Sequence, residues 1–312
     1  MSQINNRREF LKRTAMAAAG IGIISSSDIA LAKAKSSVMR EAVGQPRIKT
    51  SICAYSMRES LKSKKETLDD FLNFAAGLGF EGVELTFYYF PNYPQMCSDK
   101  YIYDIKRKAF LLGLDISGAA VGNNFCKPDA ADRAKEIARV KLWTEASGKL
   151  GAPAMRVFGG SIPKGYTEDD CVKWTSQALQ ECCEYSGKYG VMMAMENHGG
   201  FPETAEQALR VYNAVDSKWF GINLDTGNFK SADPYRQMAM LAPYTITCHL
   251  KTTVSIAGEK VPVDMKRVVK ILREAGYCGY LPIEYEAKDD PKVGVPKFLS
   301  KIEEALKLPS TP

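Results

Sequence analysis

Histidine is scarce in this chain of 312 residues, which contains only His198 and His249. Any site that needs three or more imidazoles is therefore excluded. The 42 lysines and arginines outnumber the 36 acidic residues by too little for a dedicated nucleic-acid binder, in which a basic patch usually shifts the balance further. No apolar run reaches the roughly 18 residues that are needed to cross a bilayer, so a stable membrane span is not expected.

The eight cysteines do not form a metal or redox motif, since no two of them are spaced as C-x-x-C. Several lie in apolar segments, where a buried free thiol is the simpler interpretation. A chain of this length needs no disulfide framework in order to fold, although the pattern leaves one or two disulfides open. With 45% apolar and 25% charged residues, the composition is that of a globular protein.

Residues 1–32 predict an export signal. The Arg7-Arg8 pair in the segment NNRREFLK is similar to a twin-arginine motif. The apolar stretch that follows is too short for a membrane helix but suits the core of a signal peptide. Small residues end at Ala32, so we expect cleavage near there, a periplasmic protein, and a linker over 33–46. A disordered basic tail is the alternative.

From Arg47 onward, short apolar runs alternate eight times with longer amphipathic stretches. Such runs, bounded by glycine, proline or polar residues, are typical of parallel strands that are buried on both faces. Eight strand–helix units over 47–312 predict a single-domain α/β fold, the (β/α)8 or TIM barrel. A doubly wound open sheet is the alternative, but it usually has fewer strands, and no G-x-G-x-x-G follows the first strand. The predicted strands are Thr50–Tyr55, Gly82–Phe87, Asp115–Val121, Ala154–Phe158, Val191–Glu196, Gly221–Asp225, Thr245–Leu250 and Tyr280–Tyr285.

The predicted helices lie between these strands and place their apolar residues at helical spacing. Thr167, followed by three acidic residues, predicts an N-cap with an acidic first turn. Gly79, Gly190 and Gly276 follow predicted helix ends and are expected to act as C-caps. The helices are expected over Leu68–Leu78, Ala130–Leu150, Glu168–Tyr189, Ala205–Ala214, Met265–Ala275 and Pro296–Leu306.

Charged side chains end four successive predicted strands, the fifth to the eighth, at Glu196, Asp225, His249 and Glu284. In a TIM barrel the active site lies at the carboxyl ends of the strands. Three carboxylates brought together there would repel one another unless a cation neutralised them, so the pattern predicts a divalent metal site. One nitrogen among oxygen ligands suits Mn²⁺, Mg²⁺, Co²⁺ or a catalytic Zn²⁺. The alternative is that the acids are solvated strand ends and that His249 is an ordinary core histidine.

The strand-end motifs resemble the xylose isomerase-like TIM-barrel superfamily, which includes sugar and sugar-phosphate isomerases and epimerases of the ketose 3-epimerase type. The resemblance covers residues 47–307. It implies one metal bound by Glu196, Asp225, His249 and Glu284, with Glu196 and Glu284 as the catalytic acid and base. The implied reaction removes a proton next to a carbonyl through an enediolate. The motifs, in chain order, are Gly-Val-Glu84-Leu, Glu196-Asn-His, Leu-Asp225-Thr-Gly, His249-Leu-Lys and Ile-Glu284-Tyr-Glu.

The same resemblance implies a pocket for a carbohydrate substrate, lined by polar residues close to the metal ligands. Arg156 or Lys251 would stabilise developing negative charge there. Other roles remain open, because Glu84 and Arg156 could form an interior ion pair and His198 could serve only in packing. The aromatic segment 87–94 is either a lid over a sugar or a loop packed on the barrel rim. The expected substrate-binding residues are Glu84, Asn124, Arg156, His198, Asn228 and Lys251.

Two positions depart from the family pattern. Asn228 stands where the sixth-strand motif often has histidine, and Thr252 stands where the seventh often has aspartate. An asparagine can bind a sugar hydroxyl but cannot carry a proton near neutral pH. A lyase or hydratase acting on an oxidised sugar such as a keto-glycoside, and a noncatalytic sugar-binding barrel, therefore remain alternatives to the isomerase or epimerase.

Two further points concern partners. The multi-zinc abasic-site endonucleases share the fold, but two histidines cannot supply their metal ligands. The small net charge of +6 also disfavours DNA as a partner. The resemblance suggests a homo-oligomer, although no residue argues for one.

Overall fold

A nearly closed barrel of eight parallel strands forms the centre of the structure, a computed structural model that describes residues 47–307. The predicted signal peptide and linker, 1–32 and 33–46, lie outside the described residues. The strands are β1 (Ile48–Cys53), β2 (Gly82–Thr86), β3 (Asp115–Ala120), β4 (Ala154–Val157), β5 (Met192–Glu196), β6 (Phe220–Asp225), β7 (Lys230–Ser231), β8 (Thr245–His249), β9 (Thr253–Ile256), β10 (Glu259–Pro262) and β11 (Gly279–Ile283). The helices are α1 (Arg58–Lys62), α2 (Leu68–Gly77), α3 (Asp99–Leu111), α4 (Ala130–Leu150), α5 (Glu168–Ser186), α6 (Ala205–Ala214), α7 (Pro234–Leu241), α8 (Met265–Glu274) and α9 (Pro291–Lys307).

The barrel sheet has the order β11-β1-β2-β3-β4-β5-β6-β8, and its two edges come together. The Leu250 N–H donates to the Pro282 carbonyl at 2.8 Å, and the Glu284 N–H donates to the Leu250 carbonyl at 3.0 Å. Over the described residues, this confirms the predicted single-domain (β/α)8 barrel. The remaining strands, β7, β9 and β10, form a separate three-stranded sheet beside it.

The strands that carry the candidate site are buried at their carboxyl ends. Every residue of β2, β4 and β6 is buried, as expected where helices cover one face and side chains fill the other. The register of β2 against β3 shifts between Val83 and Glu84, and that of β6 against β8 shifts between Ile222 and Asn223. Irregularities of this kind often redirect side chains next to active sites.

The predicted helix caps are confirmed. The Thr167 hydroxyl accepts the Asp170 N–H, while the Asp170 carboxylate accepts the Thr167 N–H, which forms a capping box at the start of α5. Gly79, Gly190 and Gly276 have φ angles of 78°, 68° and 70°. This left-handed conformation favours glycine because glycine has no Cβ, and it ends a helix before the following strand.

Some elements differ from the prediction. The sequence pattern missed α3, because Phe110 and Leu111 are exposed at its end and obscure the helical periodicity. The predicted start of the last helix at Pro296 is wrong, since α9 already begins at Pro291 and Pro296 lies inside it. The side chain of Asp290 accepts the Lys292 N–H at 2.9 Å, which supports this earlier start.

The aromatic segment after β2 is anchored on the rim of the barrel by the core. The rings of Phe87 and Trp143 stack with centroids 4.5 Å apart, and the Trp143 indole donates to the Pro94 carbonyl at 3.2 Å. Phe87 and Phe90 are buried, whereas Tyr88 is only half-buried. The segment therefore packs on the rim through its phenylalanines and leaves tyrosine surface exposed.

The sequence analysis left one or two disulfides open and expected no stable membrane span. None of the eight cysteines, which all lie within the described residues, forms a disulfide, and seven of them are buried. Within 47–307, no helix combines the length and apolarity that a membrane crossing requires.

Candidate functional site

The four charged strand-end residues meet in one place. Glu196, Asp225 and His249 are the last residues of β5, β6 and β8, and Glu284 directly follows β11. Each offers one atom that could bind a metal, and these four atoms all lie within 4.8 Å of one another. All four side chains are buried. The structure thus brings together the residues that the sequence pattern placed at one site.

A carboxylate from across the barrel orients His249. Its Nε2 lies 2.9 and 2.8 Å from the two carboxylate oxygens of Glu84 on β2. Its Nδ1 therefore faces the other side, 2.8 Å from Glu284 Oε2 and 3.7 Å from Glu196 Oε2. A carboxylate on the far nitrogen of a metal-binding histidine is a common arrangement, since it sets the tautomer and holds the ring.

Glu84 thus contacts His249, one of the four predicted metal ligands. The interior ion pair considered for Arg156 is formed with Glu196 instead, where Arg156 Nε lies 3.1 Å from Glu196 Oε2. The Cys53 thiol also donates to Glu84 Oε1 at 3.3 Å. Cys53, Glu84 and His249 form a second group with metal-ligand geometry, but this group shares His249 with the first.

Among the four predicted metal ligands, two buried atoms have no hydrogen-bond partner in the described part of the chain: Asp225 Oδ2 and His249 Nδ1. The same holds for the neighbouring Arg156 Nε and Asn223 Oδ1. The close contact of His249 Nδ1 with Glu284 lacks hydrogen-bond alignment. The other oxygen of Asp225 accepts the N–H groups of Gly227 at 2.8 Å and Asn228 at 3.0 Å. A buried polar atom without a partner costs about 1–3 kcal/mol, and such atoms are rare in folded proteins outside functional sites.

Burial and neighbouring charges shift the pKa values of the three carboxylates differently. Burial raises the pKa of Asp225 to about 7, with Glu196 and Glu284 adding to the effect against the opposing charge of Lys251. Burial also raises the pKa of Glu196, although Arg156 opposes it. The pKa of Glu284 is well below its usual range, because Lys251 and His249 outweigh the effect of burial. Opposite shifts in two neighbouring carboxyl groups are the pattern that separates a proton donor from a proton acceptor.

Amide side chains hold these carboxylates in place. Asn228 Nδ2 donates to Glu196 Oε1 at 3.0 Å, and Asn223 Nδ2 donates to Glu196 Oε2 at 3.3 Å. Asn197 binds the backbone of Asp225 twice, with its Nδ2 donating to the carbonyl at 2.9 Å and its Oδ1 accepting the N–H at 2.8 Å. The ends of β5 and β6 are therefore fixed relative to each other.

Two cations border the carboxylate group. Lys251 Nζ lies 2.7 Å from Glu284 Oε1 and 3.5 Å from Asp225 Oδ2, and it also contacts Glu286. Burial alone would lower the pKa of Lys251, but the surrounding carboxylates raise it, so the side chain stays charged. Arg156 on β4 donates through the same nitrogen to the Tyr88 hydroxyl at 3.2 Å and to the Val121 carbonyl at 3.2 Å.

For two of the predicted substrate-binding residues, the contacts in the structure are with neighbours outside the carboxylate group. His198 is exposed, and its ring lies 4.5 Å from that of Phe158, which in turn packs under the Arg156 guanidinium at 4.0 Å. Asn124 uses its side-chain oxygen within its own loop, where it accepts the Cys126 N–H at 2.9 Å. Their roles in sugar binding remain predictions.

The sequence analysis missed several residues of the site. Asn223 gave no signal, because an asparagine inside an apolar strand resembles any other polar interruption. Tyr88 and Glu286 stood within quoted motifs, but their partners, Arg156 and Lys251, lie on strands that are distant in the chain. Proximity in the chain could not have linked them.

Taken together, the fold and the site define a TIM-barrel protein whose last four barrel strands end in a buried group of potential metal ligands. The chain belongs to the xylose isomerase-like TIM barrel family, whose sequence profile matches residues 72–305. This confirms the resemblance drawn from the strand-end motifs.

One curated relative is the L-ribulose-5-phosphate 3-epimerase of Escherichia coli. It is 26% identical over 180 residues, which cover 54% of this chain and 63% of the relative. The chain thus matches less than two thirds of the length of that epimerase.

Solved structures share the fold at low sequence identity. D-psicose 3-epimerase from Clostridium cellulolyticum H10, solved with D-tagatose, has a TM-score of 0.67 at 16% identity and covers 83% of this chain and 100% of its own. The 3-keto-D-glucoside 4-epimerase of Escherichia coli has a TM-score of 0.64 at 16% identity, with coverages of 83% and 100%. A xylose isomerase domain protein from Planctomyces limnophilus has a TM-score of 0.63 at 16% identity, with coverages of 85% and 98%. Sugar epimerases are therefore among the proteins that share this barrel.

Proposed function

We propose that this protein is a metal-dependent sugar isomerase or epimerase that removes a proton from the carbon next to a carbonyl and proceeds through an enediolate. The observation that carries the proposal is the group Glu196, Asp225, His249 and Glu284, whose ligand atoms lie within 4.8 Å of one another. The sequence similarity to a sugar-phosphate 3-epimerase supports a carbohydrate substrate.

These four residues would bind one divalent cation. Asp225 Oδ2 and His249 Nδ1 are buried without hydrogen-bond partners, which fits atoms reserved for a cation. A set of carboxylate oxygens with one imidazole nitrogen suits Mn²⁺, Mg²⁺, Co²⁺ or Zn²⁺. When bound, such a cation acts as a Lewis acid that makes the proton next to a coordinated carbonyl more acidic.

The protein residues then handle the proton and the charge. Glu284, with its pKa held low by Lys251 and His249, is ionised and can accept a proton. Glu196, with its pKa raised by burial, can hold a proton and return it to the other face of the carbon. Arg156 and Lys251 supply the positive charge that stabilises the enediolate oxygen, and Asn228 can bind a hydroxyl group.

Two measurements test this function. Metal analysis of the purified, gently handled protein should find close to one divalent cation per chain. In D₂O, ketoses and keto-glycosides should take up deuterium at the carbon next to the carbonyl, as followed by NMR. A protein that binds no divalent cation and exchanges no proton in any of these sugars would contradict the proposal.

A lyase or hydratase acting on a keto-glycoside is the second candidate. Asn228 favours this second candidate, because its side chain donates a hydrogen bond to Glu196 but cannot itself carry a proton near neutral pH. Product analysis separates the two, since elimination releases the group on the neighbouring carbon whereas epimerisation keeps every bond except one C–H. A noncatalytic sugar-binding barrel would bind sugar equally well after Glu284→Gln and would never exchange the proton.

Export through the twin-arginine route remains part of the proposal. Arg7 and Arg8 carry it, and cell fractionation followed by N-terminal sequencing tests it. We expect a periplasmic protein that starts near Lys33. Replacing both arginines by lysine should retain the protein in the cytoplasm, and periplasmic protein from that variant would overturn this part of the proposal.

A homo-oligomer is also proposed, and light scattering of the purified protein would detect it.

A further inference from the structure

A cavity with five tyrosines in its wall lies beyond the carboxyl ends of β1 and β2. Its volume is about 870 Å³, and its walls come from the loops that follow β1 and β2. Tyr55, Tyr88, Tyr89, Tyr93 and Tyr101 line it, and each of these side chains is only half-buried. We call these five residues the tyrosine groove. Its volume is within the range of about 300–1,000 Å³ that small-molecule pockets usually have.

Tyr88 connects the tyrosine groove to the candidate site. It forms part of the groove wall, and its hydroxyl accepts a hydrogen bond from Arg156, whose Nε lies 3.1 Å from Glu196 Oε2. At the other side, the Arg58 guanidinium lies 5.4 Å from the centroid of the Tyr55 ring and donates to the Tyr285 carbonyl at 2.9 Å, next to Glu284 in the chain. A ligand that reaches from the glutamates into the groove would therefore remain in contact with protein.

The lining suits a sugar ring. An aromatic ring offers a flat apolar face for the C–H face of a pyranose, while the phenol hydroxyl at its edge can bind a sugar hydroxyl. Tyr88 lies edge-on to Tyr93, with centroids 5.4 Å apart, so the groove presents rings in more than one orientation.

The loop after β11 disfavours a phosphate group on the sugar substrate. In TIM barrels a phosphate is often bound by the loops after the last two strands and by a helix N-terminus. Here the carboxylates of Glu286, Asp289 and Asp290 line the adjoining cavity of about 840 Å³, opposite the cations Arg58, Lys65, Lys288 and Lys292. The Asp290 carboxylate already accepts the Lys292 N–H at 2.9 Å, so this N–H at the start of α9 is not free to bind a phosphate.

We propose that the substrate is an unphosphorylated keto-sugar joined to a second sugar ring, and that this second ring lies in the tyrosine groove. This inference rests on the proposed function, because the keto-sugar ring has to lie at Glu196 and Glu284. It deepens that function by naming a two-ring glycoside as the substrate class, in contrast to the phosphorylated sugar in the name of the curated relative.

The test compares four probes on the full-length protein supplied with Mn²⁺: fructose, fructose 6-phosphate, and the ketose disaccharides isomaltulose and lactulose, which join the second ring to carbon 6 and carbon 4. Calorimetry measures binding, and NMR in D₂O measures exchange. We expect at least one disaccharide to bind about tenfold more tightly than fructose, the gain expected for stacking on an aromatic ring. Fructose 6-phosphate should bind no more tightly than fructose.

Substitution of Tyr55 connects this preference to the groove. Tyr55→Ala should reduce the ratio of disaccharide to fructose affinity about tenfold, whereas Tyr55→Phe should keep it because the ring face remains. Tyr103→Ala is the matched control, since Tyr103 on α3 is 50% exposed and lies outside the groove. Thermal melting of each variant checks that it is folded.

The outcomes separate the two proposals. If neither disaccharide binds more tightly than fructose, if fructose 6-phosphate binds most tightly, or if Tyr55→Ala leaves the ratio unchanged, the groove inference is wrong. If disaccharides bind as expected but no probe exchanges a proton, the groove inference stands and the proposed function is wrong.

Discussion

The two halves of the barrel end in different chemistry. The last residues of β1 to β4 are uncharged, whereas the other four barrel strands end in, or directly before, a potential metal ligand. The uncharged ends are Cys53, Thr86, Ala120 and Val157, and the charged ends are Glu196, Asp225, His249 and Glu284. The first half contributes instead Glu84, Arg156 and the loop that carries Tyr88. The potential cation ligands are thus concentrated in the second half, whereas the first half supplies Glu84, which contacts His249, and Arg156, which contacts Glu196.

Loss of either glutamate should have the largest effect on turnover. Glu284→Gln and Glu196→Gln remove the carboxylates that move the proton, and we expect the rate of deuterium exchange to fall about 10³-fold for each. NMR of the sugar in D₂O measures the rate. Glu181→Gln is the control, because Glu181 on α5 is exposed and pairs with Lys141 on α4. Equal losses in Glu284→Gln and Glu181→Gln would contradict the assigned roles.

Removal of Asp225 should act mainly on metal affinity. Asp225→Ala removes one of the four proposed ligands, and we expect the affinity for Mn²⁺ to fall by more than about 100-fold. This loss exceeds the loss of about 10–100-fold that is usual when a residue that only supports a metal ligand is replaced. Competition with a coloured chelator measures this affinity. The exposed Asp104 on α3, which pairs with Lys100, provides the control Asp104→Ala. Unchanged Mn²⁺ affinity in Asp225→Ala would remove Asp225 from the ligand set.

Glu84 tests whether the first half of the barrel supports the second. Glu84→Gln weakens the contact that orients His249, and we expect a loss of about 10–100-fold in metal affinity. The control is Glu81→Gln just before the same strand, where the side chain pairs with Arg47 at the protein surface. A Glu84→Gln variant with normal metal affinity and a reduced affinity for sugar would place Glu84 at the substrate instead.

The smallest effect is expected for Tyr88. Tyr88→Phe removes the hydroxyl group that accepts from Arg156, and we expect the KM for sugar to rise about fivefold, as for the loss of one hydrogen bond of roughly 1 kcal/mol. Metal affinity should stay the same, since Tyr88 contacts none of the four ligands directly. Tyr166→Phe, at an exposed tyrosine that packs on Trp174, serves as control. A loss of metal in Tyr88→Phe would show that the two halves are not separate in function.

The sequence predicted those site residues that can be recognised from their immediate neighbours in the chain. Glu196, Asp225, His249 and Glu284 could be found because each ends an apolar run, and parallel strands in a barrel place their ends at one face. The role of Glu84 could not be found in this way. It contacts His249 across the barrel, and no rule of spacing relates a residue on β2 to one on β8.

Local signals also failed for part of the fold. The pattern of α3 was obscured by the exposed Phe110 and Leu111, and the small sheet of β7, β9 and β10 is too short to give a periodic signal. Asn124 illustrates the same limit at the site, because its side chain is occupied by a turn that only the folded loop reveals.

The amino-acid sequence by itself determined the number of strand–helix units and the residues at the strand ends, since both follow from the order and type of neighbouring residues. Only the tertiary structure decided which nitrogen of His249 faces the carboxylates, which glutamate has its pKa raised and which lowered, and that tyrosines border the site. These properties depend on charges and hydrogen bonds between residues that are far apart in the chain, and folding alone brings such residues within a few ångströms of each other.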